Sequence, residues 1–406
     1  MKILYFCPQQ VWPATGGALL RNFHLANTLA KRCSVTLLQL ARPGQDIERS
    51  WPATNFREIL TWQRESAYTP WKILSGMLGP LPLTVLNYSS KKIAADLSEL
   101  LARESFDAVQ LESVHLLPYL DVIKHAPGSP AVIADWHNIE SELMARYASQ
   151  VTNPAKRLAA KRTAQLLQRA EQRMLSGASE HIVVSEREKN LLLQRYAAAS
   201  IHVIANGVDA AAFEKVAEER DRGAGATRTS IVYVGSMDYH ANADAVIWFD
   251  REIWPAVAAQ LDNYTFNIVG RNPGPAVKAL ASNRVRVTGS VDDVRQYYAE
   301  ASAVVVPLRV GGGTRLKILE AMAAGVPVIS TALGAEGLHA EDDVHLVIAN
   351  TPSEIASALV RVIRDKNLAS RLSRAARAFV TERYDWAFIG EQLYGVYDEF
   401  ICARNR

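Results

Sequence analysis

The sequence predicts an α/β fold built from two parallel-sheet domains in tandem. Three observations carry this. The chain has 406 residues, and domains usually run about 100–200. Short apolar runs alternate with stretches of helical periodicity in both halves, the signature of β–α–β units and of a parallel sheet. Between the halves, residues 214–230 are polar and charged, contain Gly223 and Gly225, and read as a linker. A cleft between two such domains is a natural binding site.

The elements follow in order. Residues 2–6 and 34–40 (SVTLLQL) are apolar runs, and between them Leu19, Phe23, Ala26, Leu29 and Ala30 recur at helical spacing over 19–32. The loop of this unit carries Gly16 and Gly17 ahead of the helix. Glycines there let backbone N–H groups approach a phosphate, helped by the positive helix end; a plain tight turn fits the same residues. No GxGxxG dinucleotide fingerprint occurs. Strands at 106–111 (FDAVQL) and 131–134 (AVIA) lead to Glu112 and to Asp135-Trp136-His137-Asn138-Ile139-Glu140. Ligands of open parallel sheets sit beyond the carboxyl ends of strands, so Asp135, His137, Asn138 and Glu140 mark a site. Residues 146–173 hold seven cations against one acid, Glu171, a charge of +6. Leu158, Leu166, Ala170 and Met174 lie at helical spacing there, so the part after Pro154 reads as a basic amphipathic helix. Such a helix presents either a solvated face or a contact for an anionic membrane surface. Strands 181–184 and 201–204, with a helix from Glu186 between them, end the half at Asn206-Gly207-Val208-Asp209.

The second half repeats the plan. Strand 231–234 (IVYV) exits into Gly235-Ser236-Met237-Asp238-Tyr239-His240 and a helix over 242–260. Strand 265–269 exits at Gly270-Arg271, strand 284–288 at Gly289, strand 303–306 at Pro307, and strand 326–330 follows a helix. The most informative stretch is 307–331, PLRVGGGTRLKILEAMAAGVPVIST. Thr314 suits an N-cap, the helix runs from Arg315 to about Ala324, Leu316, Leu319 and Ala323 mark its buried face, and Gly325 ends it. Two features are costly. The glycines at 311–313 lose backbone entropy on ordering. Arg315 and Lys317 place cations where the helix dipole disfavours them by about 0.3–1 kcal/mol each. A bound anion reverses that sign, so Gly312, Gly313, Thr314, Arg315 and Lys317 describe a phosphate or diphosphate site. Glu320 shares a helix face with Lys317, placed either to pair with it or to accept hydrogen bonds from ribose hydroxyls.

Composition excludes other classes. The charge of +3, from 45 basic and 42 acidic residues, argues against nucleic acid as a partner. Hydrophobic content of 49% and charged content of 21% exclude disorder. Cys7, Cys33 and Cys402 are scattered and form no CxxC pair, against a disulfide framework or a zinc site. The N-terminal apolar run is too short for a signal-peptide core and no uncharged stretch of about 18 apolar residues occurs. The expected location is the cytoplasm, free or peripherally at the inner face of the plasma membrane.

Taken together, the Gly16-Gly17 loop, His137, Asn206-Gly207-Val208-Asp209, Gly270-Arg271, Thr288-Gly289-Ser290-Val291 and above all Glu320-Ala-Met-Ala-Ala-Gly-Val-Pro-Val resemble the retaining GT-B glycosyltransferases of the GT4 family, the glycosyl transferases group 1. The Gly-Gly-Gly-Thr-Arg-Leu-Lys run with Gly-Ser-Met-Asp is similar to sugar transferases of bacterial exopolysaccharide and exosortase-associated systems. The resemblance implies two Rossmann-like domains facing across a cleft: an acceptor domain over 1–209, a nucleotide-sugar donor domain over 210–385, and a C-terminal helix at 386–406 crossing back. It implies retaining, metal-independent transfer of a sugar to a hydroxyl of a saccharide or polyprenol-linked acceptor, with no cofactor beyond the nucleoside-diphosphate-sugar co-substrate. By motif, Glu320 matches the acid that contacts the donor ribose, Val291 the position lining the base, His137 the histidine near the sugar, and Gly17 the loop approaching the diphosphate. With Gly16, Ser236, Gly270 and Arg271, these complete the expected donor site; Asp135, Asn138 and Glu140 stand on the acceptor side. The sequence departs from the family in two places. The first acid of Glu-x7-Glu falls at Gly312, and the usual Arg and Lys after the first C-domain strand read Ser236 and Ala241-Asn242. Arg315 and Lys317 are the evident substitutes for those cations. Two other classes stay open on this fold: a nucleotide-sugar 2-epimerase, and a catalytically degenerate partner subunit.

Overall fold

The computed structural model describes residues 1–404 except 15, 49, 66–68, 197–199, 224–227 and 311–315. The chain forms two units, Met1–Ala205 with Ile389–Arg406, and Asn206–Phe388.

Unit 1 is built on seven parallel strands in the order β3-β2-β1-β4-β5-β6-β7. These are β1 (Lys2–Cys7), β2 (Ser34–Ala41), β3 (Glu58–Gln63), β4 (Ala108–Glu112), β5 (Ala131–Trp136), β6 (Glu180–Val183) and β7 (Ile201–Val203). β1, β2, β4 and β5 are mostly apolar because both of their faces are covered, and they are almost wholly buried, including the polar Gln39, Gln110, Glu112 and Asp135. Edge strand β3 is only half-buried, so its mixed sequence gave no comparable signal. The strand order reverses between β1 and β4, which opens a crevice at their carboxyl ends.

Unit 2 has six parallel strands in the order β10-β9-β8-β11-β12-β13: β8 (Ser230–Val234), β9 (Thr265–Val269), β10 (Val285–Gly289), β11 (Ala301–Val306), β12 (Val328–Ser330) and β13 (Val347–Ile348). Its reversal lies between β8 and β11.

Three expectations need correction. The stretch expected as a linker contains a helix, Ala210–Arg222, capped by the Asp209 carboxylate on the Ala212 N–H at 3.0 Å. Phe213, Val216, Ala217 and Arg220 form its buried stripe, which the surrounding charged residues conceal in the sequence. The basic stretch forms two helices, Glu140–Gln150 and Pro154–Gly177, the second capped by Asn153. Leu158 is 71% exposed, whereas Leu166, Ala170 and Met174 are buried together with Leu167 and Leu175. The apolar stripe therefore begins later than the spacing suggests, and the helix start carries cations around an exposed leucine. Finally, β5 runs through Trp136, so Asp135 is part of the strand and does not lie beyond it.

The final helix, Trp386–Arg404, passes from unit 2 into unit 1 at Ile389. Ile389, Leu393, Tyr397 and Ile401 form one buried stripe. Gly390 allows its close approach to the first helix: a Cβ there would lie 2.0 Å from Thr28 Cγ2. No helix among the described residues is long and apolar enough to cross a membrane.

Candidate functional site

In unit 1 the site-forming side chains converge where β1, β4 and β5 end. Helix Gly17–Leu29 starts directly after Gly16, which adopts extended backbone and serves as its N-cap. One turn in, Arg21 turns inward and is 1% exposed. Its guanidinium pairs with Asp135 at 2.8 Å and donates to the carbonyls of Ile204 (2.8 Å) and Ala205 (3.1 Å). Asp135 is thereby committed to a buried ion pair inside the strand. Its placement on the acceptor side is corrected: its carboxylate holds the protein's own arginine and has no solvent face.

His137, two residues on, has left the strand. Its Nε2 lies 2.5 Å from Glu112 Oε2, and Glu112 is fully buried at the end of β4. Burial pushes the Glu112 carboxyl up, but the hydrogen bond and charge of His137 outweigh it and leave the carboxyl below its ordinary range. Burial likewise pulls His137 down, and the same Glu112 contact brings it above its ordinary value. Each partner thus favours the charged form of the other. Gln110 Nε2 donates to the other Glu112 oxygen. With its nitrogen turned inward, the Asn22 amide lies 2.9 Å from His137 Nε2 and 3.0 Å from both Glu112 Oε2 and the Ala18 carbonyl; with the Nε2 hydrogen directed at Glu112, the amide donates to the two oxygens. Asn138 is half-buried beside His137, and Glu140, first residue of the next helix, is pushed up to about 7 by burial and by Glu171. Glu112, Asp135 and His137 offer ligand atoms within 4.8 Å of one another. Arg21, Gln110 and the Glu112–His137 pair already occupy those atoms, so the cluster reads as an ion-pair network and not as a metal centre.

In unit 2 the site-forming side chains gather at the ends of β8 and β9, on one side of the reversal between β8 and β11. Gly270 has a φ of +150°, and a Cβ on it would fall 1.8 Å from the Gly235 carbonyl oxygen, so only glycine lets the two strand exits touch. Ser236 follows: its hydroxyl donates to Asp238 at 2.5 Å and accepts from Arg271 Nε at 2.8 Å. That hydroxyl, more than Arg271 itself, holds the Asp238 carboxyl below its ordinary range. Arg271 is exposed. Helix Leu316–Ala323 brings Lys317 to the same exits. Its ammonium donates to Tyr233 Oη (2.8 Å) and Asn242 Oδ1 (2.9 Å), sits 4.0 Å over the Tyr233 ring, and would be 2.8 Å from a Cβ on Gly235. Asn242 occupies the region where the resemblance leads one to expect a lysine; here the ammonium of Lys317 stands against it. Further along the helix, Glu320 accepts from Tyr298 Oη at 2.9 Å, and burial pushes its carboxyl up to about 7. Val291 lies half-buried just past the end of β10. Gly312, Gly313, Thr314 and Arg315 lie outside the described residues.

The structure thus groups Ser236, Gly270, Arg271 and Lys317 in one unit, and Glu112, His137, Asp135 and Arg21 in the other. Sequence reasoning missed Arg21, Asn22, Gln110, Tyr233, Tyr298 and the pairing of Glu112. One signal was available: Gln110 and Glu112 alternate on one face of an otherwise apolar buried strand, and buried polar groups need partners.

Comparison with known proteins bears on the family and the fold. Residues 15–212 match the family described as Glycosyltransferase Family 4, and residues 228–365 match Glycosyl transferases group 1. A phosphatidyl-myo-inositol mannosyltransferase of Mycobacterium leprae is 29% identical over 184 residues, 44% of this chain and 48% of that protein. A D-inositol 3-phosphate glycosyltransferase of Salinispora arenicola is 27% identical over 263 residues, 57% of each chain. The chain spans about half the length of the curated relatives it matches. Sucrose-phosphate synthase from Thermosynechococcus elongatus shares the fold over 99% of this chain and 100% of its own, with a TM-score of 0.74 at 20% identity. Anabaena Alr3699/HepE, solved in complex with UDP-glucose, shares it over 98% of this chain and 100% of its own, at a TM-score of 0.65 and 20% identity. With one family matched in each half and the GT-B fold spanning both units, the chain belongs to the GT4 glycosyltransferases, the glycosyl transferases group 1.

Proposed function

We propose that this protein transfers a sugar, with retention and without a metal, from a nucleoside diphosphate to a hydroxyl of a saccharide or lipid-linked acceptor in bacterial surface-polysaccharide synthesis. The observation that carries the reading is the Lys317 ammonium, brought against Gly235 at the end of β8, the strand at which the unit 2 sheet reverses. Breaking the anomeric bond builds negative charge on the leaving diphosphate. A cation held by neutral oxygens at a glycine-lined strand exit stabilises that charge with little reorganisation. Arg315 and the glycines 311–313 precede the same helix and add to this binding. The Gly16-Gly17 helix start contributes N–H donors, Glu320 takes the ribose hydroxyls, Val291 the base edge, and Ser236 and Arg271 line the approach. His137 hydrogen-bonds a hydroxyl of the transferred sugar, with Asn138 and Glu140 toward the acceptor.

The donor half-site needs no acceptor chemistry to bind, whereas the acceptor is suggested by surface chemistry. Leu158 is flanked by Lys156, Arg157, Lys161 and Arg162, and Tyr147 on the preceding helix is 46% exposed. An aromatic and a leucine among cations suit the interface of an anionic bilayer, where a lipid-linked acceptor resides.

The test is a thermal-shift screen with UDP-, GDP- and ADP-sugars, followed by product analysis with and without acceptor. Stabilisation by one donor class and acceptor-dependent release of the nucleoside diphosphate are expected. Conversion of the donor to an epimer without acceptor, or tight donor binding with no turnover under any acceptor, contradicts the proposal.

A further inference from the structure

The C-terminal helix reaches the His137 site through three side chains. Tyr397 is fully buried on that helix, and its Oη donates to Gln110 Oε1. A phenol beside an amide oxygen can only donate. The Glu112 carboxylate accepts only, so the Gln110 amide is held with its nitrogen toward Glu112 Oε1 and its oxygen toward the Tyr397 hydroxyl. Glu112 then receives a donor on each oxygen: Gln110 on one, His137 Nε2 and Asn22 on the other. A carboxylate so placed is an acceptor only, and it fixes the hydrogen on Nε2 of His137. The Nδ1 atom has no partner among the described residues and is the ring position left for a ligand.

We infer that Glu112 and Tyr397 are positioning residues for His137, joined to it in the directional hydrogen-bond chain Tyr397–Gln110–Glu112–His137, which sets the tautomer and orientation in which the imidazole meets the sugar. The inference deepens the proposed function and rests on its assignment of His137. The chain transmits polarisation as well as contact: loss of the Tyr397 hydroxyl leaves the Gln110 oxygen without its donor and weakens the hydrogen bond that its nitrogen makes to Glu112. Positioning groups of this kind around a site's own side chains commonly affect activity about 10–100-fold when removed from metal-ligating histidines. Here the chain ends on a ring that touches substrate directly, and Tyr397 lies three hydrogen bonds from it against one for Glu112, so its effect is the smaller.

Other groups also face this imidazole. Asp135 on its own strand and Arg21 on the first helix act on its charge with opposite sign. His115, after β4, and Glu140, on the next helix, lie within electrostatic reach, and Tyr5 and Cys7 of β1 stand beside Glu112. A change in the His137 titration is therefore read against variants that leave all of these in place.

The experiment is histidine-labelled NMR of the full chain, assigning His137 through a His137→Asn variant and recording its tautomer and titration in wild type, Glu112→Gln and Tyr397→Phe. Tyr119→Phe is the control, since Tyr119 also buries its hydroxyl in unit 1 but donates to the Tyr88 carbonyl at 2.5 Å, outside the chain. Wild type is expected to titrate above the ordinary histidine value and, once neutral, to keep its hydrogen on Nε2. Glu112→Gln lowers that titration by about one unit or more, Tyr397→Phe lowers it by less, and Tyr119→Phe leaves it unchanged. Donor turnover is measured in parallel: kcat falls about tenfold or more in Glu112→Gln and about threefold in Tyr397→Phe, with KM for the donor near wild type. An unchanged tautomer and titration in both variants overturns the inference. A changed titration with unchanged turnover supports the positioning chain and overturns the role given to His137 in sugar transfer. Tyr397→Phe keeps the ring packed, so it carries the test if Glu112→Gln does not fold.

Discussion

The two strand-exit clusters treat charge in opposite ways. In unit 1 each buried charge faces an opposite one: Arg21 meets Asp135 at 2.8 Å and His137 meets Glu112 at 2.5 Å. In unit 2 the Lys317 ammonium donates to a phenol and an amide, and the Glu320 carboxylate accepts from a second phenol while the Lys317 charge acts on it. Paired charges give a rigid arrangement that resists titration. Hydrogen bonds to neutral groups orient a charge without cancelling it, and an incoming anion or hydroxyl adds to them. The comparison assigns orientation to the first cluster and ligand charge to the second.

The largest expected effect breaks the second cluster. Lys317→Ala should lower kcat by about 10²–10³, the usual scale for removing one preorganised charge-stabilising donor, while the melting temperature changes little. Steady-state kinetics with calorimetry checks this. A loss of folding in place of activity would move Lys317 to the structural side of the comparison. Asp135→Ala is the reverse case. It leaves the Arg21 guanidinium buried without its carboxylate and should cost about 3–5 kcal/mol of stability in denaturant titration. Gly270→Ala should weaken donor binding and stability together, because its Cβ would stand 1.8 Å from the Gly235 carbonyl oxygen and the strand exits must part.

A smaller effect follows from Glu320. Its folded-state pKa, about 7, lies above the ordinary carboxylate value of 4.5. The stability linked to this group is therefore fully present below pH 4.5 and is lost as pH rises through 7. Glu320→Gln should accordingly raise the melting temperature at pH 8 and leave it nearly unchanged at pH 4.5, while weakening donor binding at both. Smallest of all, Leu158→Glu should reduce binding to vesicles containing anionic lipid and leave turnover of a soluble donor at its wild-type value; equal vesicle binding would remove the membrane reading of this helix.

Much of the fold was legible because a parallel sheet buried on both faces writes its strands as plain apolar runs, as in β2 and β11. The helix holding Lys317 and Glu320 was legible because its cations stand where a helix dipole disfavours them. What the sequence hid has physical causes. Glu112 and His137 are 25 residues apart and meet only because β4 and β5 are neighbours in the sheet, which periodicity does not disclose. Tyr397 meets Gln110 across 287 residues, through the return of the last helix to unit 1. Asp135 was misplaced because the strand continues through two residues, Asp135 and Trp136, that a purely apolar pattern excludes. The helix at 210–222 was hidden because Phe213, Val216 and Ala217 are few among many charges, though enough to bury one face.

The central claim is that Lys317 receives the diphosphate of a nucleotide-sugar donor. Titration calorimetry of the nucleoside diphosphate against the monophosphate, on wild type and Lys317→Ala, tests it most directly. Wild type should bind the diphosphate at least about tenfold more tightly, a difference of about 1.4 kcal/mol, and the variant should lose that preference. A variant that keeps the full preference would contradict the account.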